Sequence, residues 1–380
     1  MATDSHTVYN WQIGREMAYP YEAPPPTKQV AWVFDINKCI ACQTCTLACK
    51  TTWTAGKGQE YMWWNNVETK PWGFYPLGWD VRLLEKLGVG KWEKDVYRGK
   101  TIFEAAAAGE ILTGVQPAEE DWAHPNIGED EIAGGTVEPG DHIDKIHRVW
   151  MFYLQRICNH CSYPGCLGAC PRKTVYKRNE DGIVLIDQKR CRGYQECVRG
   201  CPYKKSMFHA RSRKSQKCIS CYPAVGQGYQ TQCVVNCVGK IRVFGFINPR
   251  EKAREDNPID YMVHLAKVAL PLYPQFGTQP NVYYIPPIHV PPPFLKQMFG
   301  PRATQAVDIY RKAEKDPKMH GLLMLFGSTD RIFTRFKVAN GEAVGYDDSG
   351  DEVARVPITE PTYDRPFFDK DHNVYRHSIT

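Results

Sequence analysis

Fifteen cysteines, all between Cys39 and Cys237, constrain this 380-residue chain more than any other feature. They fall into four tight groups. The first is Cys39-x2-Cys42-x2-Cys45-x3-Cys49 and the second Cys158-x2-Cys161-x4-Cys166-x3-Cys170. The third is Cys191-x5-Cys197-x3-Cys201 and the fourth Cys218-x2-Cys221-x11-Cys233-x3-Cys237. A disulfide scaffold is usually short and spreads its cysteines along the chain. An odd number of cysteines knotted into four groups reads instead as metal ligation. Structural zinc also takes thiolates in CxxC pairs. Zinc needs no x2-x2-x3 run, however, and 15 ligands do not divide into sets of four. No CxxCH occurs, so covalently attached haem is not indicated.

The x2-x2-x3 run is that of bacterial ferredoxins. Three closely spaced thiolates wrap three corners of one iron–sulfur cube, and the fourth leaves on a helix and reaches a neighbouring cluster. With group one paired to group four and group two to group three, the expected ligand sets follow. Cys39, Cys42, Cys45 and Cys237 hold one [4Fe–4S] cluster, and Cys49, Cys218, Cys221 and Cys233 a second. Cys158, Cys161, Cys166 and Cys201 hold a third. Group three lacks one cysteine, because Tyr194 stands where the second ligand belongs. A corner without a thiolate tends to lose its iron, so Cys170, Cys191 and Cys197 are expected to hold a [3Fe–4S] centre more oxidising than its neighbours. The competing arrangement is a fourth iron held by Tyr194 or water. His160 lies between Cys158 and Cys161, but the paired ligands of a Rieske centre are absent, so it reads as a residue packed beside a cluster.

Around these groups the chain reads as α+β, with two double-cluster ferredoxin-like modules, long insertions and a C-terminal extension. Strands are expected at 30–36, 151–157, 183–186 and 241–247, giving a repeated unit of strand, cysteine loop, short helix and strand. Residues 1–27 form an N-terminal arm. One module joins 28–60 with 211–250, and the other spans 151–210. Residues 61–150 are an insertion. All ten tryptophans lie between Trp11 and Trp150, which suits either ordinary core or a large permanent interface. Residues 251–380 are the extension. Its Pro-rich part, 271–301, is expected to run extended over a surface. A helix at 303–316 and a β-meander at 331–358, with turns at Asn340-Gly341 and Asp347 to Gly350, follow it.

The net charge is +6. Basic residues crowd group three: Lys189, Arg190, Arg192, Arg199, Lys204, Lys205, Arg211, Arg213, Lys214 and Lys217. Their placement around a cluster points to charge compensation and partner docking rather than to nucleic acid. No uncharged apolar run of about 18 residues exists, so no transmembrane helix is expected. Met1 to Asn10 is polar and unlike a secretory signal. No Gly-rich dinucleotide fingerprint or nucleophile–base motif stands out, so no catalytic residue is assigned; the alternative to an electron relay is a self-contained ferredoxin-like oxidoreductase, which needs a substrate or cofactor site on 51–150 or 250–380.

Several segments carry a family resemblance that covers nearly the whole chain. They include Cys39-Ile-Ala-Cys42-Gln-Thr-Cys45, Gly58 to Pro71, Cys191-Arg-Gly-Tyr194, Cys201-Pro-Tyr-Lys-Lys205 and Val268 to Pro274. In these the chain resembles the β subunits of complex iron–sulfur molybdoenzymes of the dimethyl sulfoxide reductase family. Val8 to Arg15 and Tyr19-Pro-Tyr-Glu22 look closest to nitrite oxidoreductase and nitrate reductase β subunits. Cys49 stands where some nitrite oxidoreductase β subunits carry Asp. The β subunits of hydrocarbon dehydrogenases and of chlorate and selenate reductases are similar. The resemblance implies an electron relay of three [4Fe–4S] clusters and one [3Fe–4S] cluster. It would run between a molybdenum-cofactor α subunit and a haem-bearing γ subunit or an external cytochrome. It also implies co-export with an α subunit carrying a twin-arginine signal to an extracytoplasmic site, the alternative being the cytoplasmic face of the membrane.

Overall fold

The strand Gln29–Asp35 is buried along its whole length and organises the chain. A computed structural model describes residues 6–71, 76, 78–88, 90–107, 114–117, 150–359 and 367–376. Gln29–Asp35 pairs antiparallel with Arg242–Ile247 on one side and parallel with Val282–Ile285 on the other, and Leu270–Pro271 completes a four-stranded sheet. Successive residues of a strand face opposite sides, and the packing follows that period. Val30, Trp32 and Phe34 enter one apolar cluster, together with Cys45, Cys233, Leu154 and Tyr203. Ala31 and Val33 enter another, with Ile259, Met262, Leu322 and Phe333 of the C-terminal extension. The cysteines thus pack on one face of the sheet, where extension residues such as Leu272, Phe276 and Phe299 join them, and the rest of the extension covers the other face.

The strands expected at 30–36, 151–157, 183–186 and 241–247 are present as Gln29–Asp35, Phe152–Arg156, Val184–Ile186 and Arg242–Ile247. Helices and strands are mixed, compatible with the α+β class. Asn66–Lys70, at the start of the insertion, pairs antiparallel with Phe152–Arg156. Of the insertion's tryptophans, Trp64 and Trp79 are buried and Trp92 and Trp150 pack against the core, whereas Trp63 is exposed, as is the nearby Tyr61. Trp72 and Trp122 lie outside the described residues.

One expectation is corrected. The Pro-rich stretch does not run over the surface, because residues 270–287 are buried throughout. Their backbone grips the group-two loop. The Ser162 amide donates to the Gln279 carbonyl, the Tyr163 amide to Thr278 and the Asn281 amide to Asn159. The Asn281 side-chain amide also donates to the His160 carbonyl at 2.9 Å. Proline suits such a segment, since a buried stretch that lacks amide donors leaves fewer polar groups to satisfy. Pro292 and Pro293 open the helix Pro292–Phe299, where a missing N–H costs nothing. The expected helix and meander are present as Ala303–Arg311 and as the strands Arg335–Ala339, Glu342–Tyr346 and Glu352–Pro357.

Candidate iron–sulfur sites

Each x3 pair of cysteines lies on or just after a helix, so its two thiols sit one turn apart on the same face. Thr44–Trp53 carries Cys45 and Cys49. Gly165–Gly168, Glu196–Arg199 and Gln232–Val235 carry Cys166, Cys197 and Cys233, with Cys170, Cys201 and Cys237 just beyond. The helices pack in two pairs, Thr44–Trp53 with Gln232–Val235 and Gly165–Gly168 with Glu196–Arg199. The second pair depends on glycine. A Cβ on Gly165 would lie 2.5 Å from the Gly200 carbonyl oxygen, and one on Gly200 would lie 2.6 Å from the Ala169 Cβ.

The residue before each second ligand position has a left-handed backbone in all four groups: Ala41 (φ 53°), His160 (φ 41°), Gly193 (φ 72°) and Ser220 (φ 56°). Groups one and three match further. Gln43 (φ 60°, ψ 4°) and Gln195 (φ 64°, ψ 2°) both precede the helix that bears the third ligand. Tyr194 therefore occupies the backbone position of Cys42. Both side chains are exposed, Tyr194 by 58%, while Cys170, Cys191 and Cys197 are buried.

The structure brings the cysteines together across groups. Cys39, Cys42, Cys45 and Cys237 line one cavity of about 310 Å3. Cys49, Cys218, Cys221 and Cys233 line a second of about 340 Å3. Cys158, Cys161, Cys166 and Cys201 line a third of about 370 Å3. Cys170 and Cys197 share a small apolar cluster with Val175 and Val184, and the field of Cys170 and Cys191 acts on Cys197. Two larger concavities, of about 640 and 780 Å3, contain no cysteine.

Polar donors converge on the thiols. The Ser220 amide reaches Cys218 at 3.4 Å, that of Lys205 reaches Cys201 at 3.4 Å and that of Ser215 reaches Cys191 at 3.4 Å. The Thr174 amide reaches Cys170 at 3.3 Å, and the Trp53 indole donates to Cys221 at 3.2 Å. Burial pushes the thiols of Cys49 and Cys161 well up, and the thiols around them push the same way. Cys221 is pushed up to about 11 by burial and then by Cys233. Thiolates in such places need metal cations beside them. The protein's own cations sit close. Burial works against the Lys217 charge, but Cys158, Cys166 and Cys218 hold its pKa above the ordinary value. Burial lowers Lys205 to about 7 beside Arg156, while Glu68, Cys49 and Cys201 oppose that shift. Lys205 and Lys217 both line the third cavity, and each also feels a thiol of the second set, Cys49 and Cys218 respectively.

A family model described as a 4Fe-4S dicluster domain matches residues 149–247. The dimethylsulfide dehydrogenase β subunit of Rhodovulum sulfidophilum is 40% identical over 317 residues, covering 77% of this chain and 93% of that one. The chlorate reductase β subunit of Ideonella dechloratans is 43% identical, covering 74% and 89%. The respiratory nitrate reductase β subunit of Haloferax mediterranei is 41% identical, covering 80% and 91%. The chain belongs to the β subunits of dimethyl sulfoxide reductase-family molybdoenzymes. As such a β subunit it is an iron–sulfur electron-transfer protein that works with a catalytic α subunit. Among the described residues, no helix is long and apolar enough to cross a membrane.

Buried polar atoms test whether the β subunit's cavities fit iron–sulfur clusters. His160 is fully buried, and its Nδ1 accepts the Val184 amide at 3.0 Å. Burial holds the ring neutral, with Lys217 and Lys177 pushing the same way. A neutral ring that accepts at Nδ1 carries its proton on Nε2. That buried Nε2 has no partner among the described residues, and His160 lines the third cavity. Asn65 Nδ2, Ser220 Oγ and Trp64 Nε1 are likewise buried without partners, and their residues line the second cavity. Arg242 Nε and Nη1 are in the same state at the first. Unsatisfied buried donors are rare and call for an acceptor. The sulfides of a cluster are acceptors, so the residues fit. Sequence reading placed His160 beside a cluster, and the structure stacks it on Trp32 with ring centroids 5.6 Å apart. Arg242, Trp53, Trp64 and Asn65 escaped sequence reading, since nothing in their local sequence ties them to a cysteine.

Proposed function

We propose that this β subunit relays electrons through three [4Fe–4S] clusters and one [3Fe–4S] cluster arranged in a row. The clusters supply one-electron carriers, with potentials set by ligand type, charge and hydrogen bonding. The protein holds them by crossed ligation, in the sets Cys39/Cys42/Cys45/Cys237, Cys49/Cys218/Cys221/Cys233, Cys158/Cys161/Cys166/Cys201 and Cys170/Cys191/Cys197. The observation that carries this reading is the lining of three cavities, each by three cysteines of one pattern and a fourth from the sister group. Shared helices supply the order. Cys45 and Cys49 link the first pair of sites, Lys205 and Lys217 bridge the second and third, and Cys166 and Cys170 link the last pair. In this reading 28–60 with 211–250 and 151–210 are the two ferredoxin-like modules. Residues 61–150 and 251–380 form the insertion and extension that surround them.

The first module faces the molybdenum-cofactor α subunit, and the Tyr194 end meets a haem-bearing γ subunit or an external carrier. Nitrite oxidation or nitrate reduction is the reaction we favour for the complex, on the resemblance of Val8 to Arg15 and Tyr19 to Glu22. Chlorate, selenate or dimethylsulfide chemistry is the alternative, favoured by relatives at 40–43% identity. The complex is exported with its α subunit in this account, and a partner gene without a twin-arginine signal would overturn that. Iron analysis should return about 15 iron atoms per chain. Electron paramagnetic resonance of the oxidised protein should show a three-iron signal that Tyr194→Cys abolishes. If the signal is absent, or persists unchanged in the variant, position 194 is not the missing ligand.

A further inference from the structure

We propose that the surface around Tyr194 is the docking face for an electron-transfer protein with an acidic rim. The inference rests on reading Cys170, Cys191 and Cys197 as the ligands of the last cluster. Two segments build the face. The turn of the hairpin Ser206–His209/Lys214–Lys217 lies against the loop 191–195. A Cβ on Gly193 would sit only 2.2 Å from the Arg213 carbonyl oxygen, and Gln188 Nε2 donates to the Ser215 carbonyl at 2.9 Å. Lys189 and Arg190, just before the loop, and Arg192, Arg211 and Arg213 on the two segments are exposed. None of the five forms an ion pair with a described residue.

The opposing carboxylates are engaged. Asp187 Oδ1 accepts the amides of Lys189 and Arg190 at 2.8 and 3.1 Å, and Glu196 pairs with Arg199. Glu60, on the loop against the hairpin, accepts the Gly58 amide at 2.9 Å, and Lys50 and His209 are the charges acting on it. Compensation of cluster charge does not explain these cations. Charges in water are screened, and where cations do act on thiols in this chain they are buried, as Lys205, Lys217 and Arg242 are beside the other three cysteine sets. Cations left in solvent around an exposed aromatic that stands between Cys191 and Cys197 in sequence act outward. They raise the encounter rate of a negatively charged partner and orient it with Tyr194 at the centre.

The test uses the full-length, cluster-loaded chain and two soluble monohaem cytochromes c of like fold, one acidic and one basic. Stopped-flow association is measured against ionic strength. The wild type should bind the acidic cytochrome about tenfold or more faster at low salt than at high salt, and faster than the basic one. Arg190→Glu/Arg192→Glu/Arg213→Glu should remove most of that advantage. Lys296→Glu/Lys312→Glu/Lys315→Glu, an equal charge change on exposed residues of the extension, should leave it within about twofold. Unchanged iron content and resonance spectra would show that the variants are folded.

A wild-type rate insensitive to salt overturns the proposal without any variant. So does an equal loss in both triple variants. If the patch variant instead loses binding only to phosphatidylserine vesicles or duplex DNA, the face serves a membrane or nucleic acid and the proposal is wrong. It is also wrong if neutralising the acidic run Glu119, Glu120, Asp121, Glu129, Asp130 and Glu131 is needed before the cytochrome binds, since the chain itself would then occupy the face. Docking that depends on the patch in a protein without a three-iron signal would keep this inference and remove the ligand reading beneath it.

Discussion

Neutralising Arg242 should lower the potential of the cluster held by Cys39, Cys42, Cys45 and Cys237. Arg242 is fully buried, and its Nη2 donates to Cys45 Sγ at 3.0 Å. The guanidinium lies 4.5 Å from the centre of the Phe34 ring. Burial works against its charge, but Cys45, Cys233, Cys237 and Cys39 hold its pKa above the ordinary value. A fixed cation next to a site that accepts an electron favours the reduced form. At roughly 6 Å and an effective dielectric of about 20, one charge attracts one added electron by about 3 kcal/mol. For a one-electron step that corresponds to on the order of 100 mV. Arg242→Met keeps the apolar contact with Phe34 and removes the charge, so the potential should fall by about that amount. Arg242→Lys should fall less. The measurement is a redox titration followed by electron paramagnetic resonance, with iron content as the check on folding. The sister cluster of Cys49, Cys218, Cys221 and Cys233 should shift in the same direction by a smaller step, because three of the first set, Cys45, Cys237 and Cys39, are among the largest influences on Arg242 and Cys233 alone of the second is. A fully loaded Arg242→Met protein whose potential stays within about 20 mV of wild type, or rises, would refute the electrostatic argument.

Three further outcomes follow from particular contacts. His160→Phe removes the Nε2–H aimed at the third cavity while keeping a ring against Trp32; one neutral hydrogen bond is worth about 1 kcal/mol, so that cluster alone should fall by about 40 mV in the same titration. Gly193→Ala drives a Cβ to 2.2 Å from the Arg213 oxygen, so the three-iron signal should weaken or vanish while the [4Fe–4S] signals persist. Asp80 is buried against Lys70 at 2.6 Å and accepts the Tyr273 hydroxyl; burial works against its charge, but these two partners hold its pKa below the ordinary 3.8. A carboxylate with a depressed pKa stabilises the fold fully above its ordinary value and loses that contribution as pH falls through the folded one. Asp80→Asn should therefore cost about 3 kcal/mol in urea unfolding at pH 7, and the gap from wild type should narrow below about pH 3.5; an equal gap at both pH values would contradict the ion-pair account.

The cysteine chemistry was readable in sequence because thiolate spacing is a local signal. An x3 pair means two thiols one helical turn apart wherever the helix sits, and a positive-φ residue before the second ligand recurs in all four groups. The strands beside the groups were readable for a similar reason, as short β-branched and aromatic runs at 30–36, 183–186 and 241–247. Long-range pairing has no such signal. Nothing within Val282–Ile285 says that it will lie parallel to Gln29–Asp35, some 250 residues earlier, and so the Pro-rich stretch was read by composition and misread. Proline density marks a lack of amide donors, and exposed linkers and buried strand-like wedges share that lack. What separates them is whether the remaining groups find partners. Here they do: the carbonyls of Thr278, Gln279 and Asn281 accept from the Tyr163, Ser162 and Trp32 amides, and the Asn281 amide donates to the Asn159 carbonyl. The extension therefore acts on the clusters as well as covering the sheet. It fixes the loop that carries Cys158, His160 and Cys161, and a strained left-handed residue such as His160 persists only where its surroundings over-determine it.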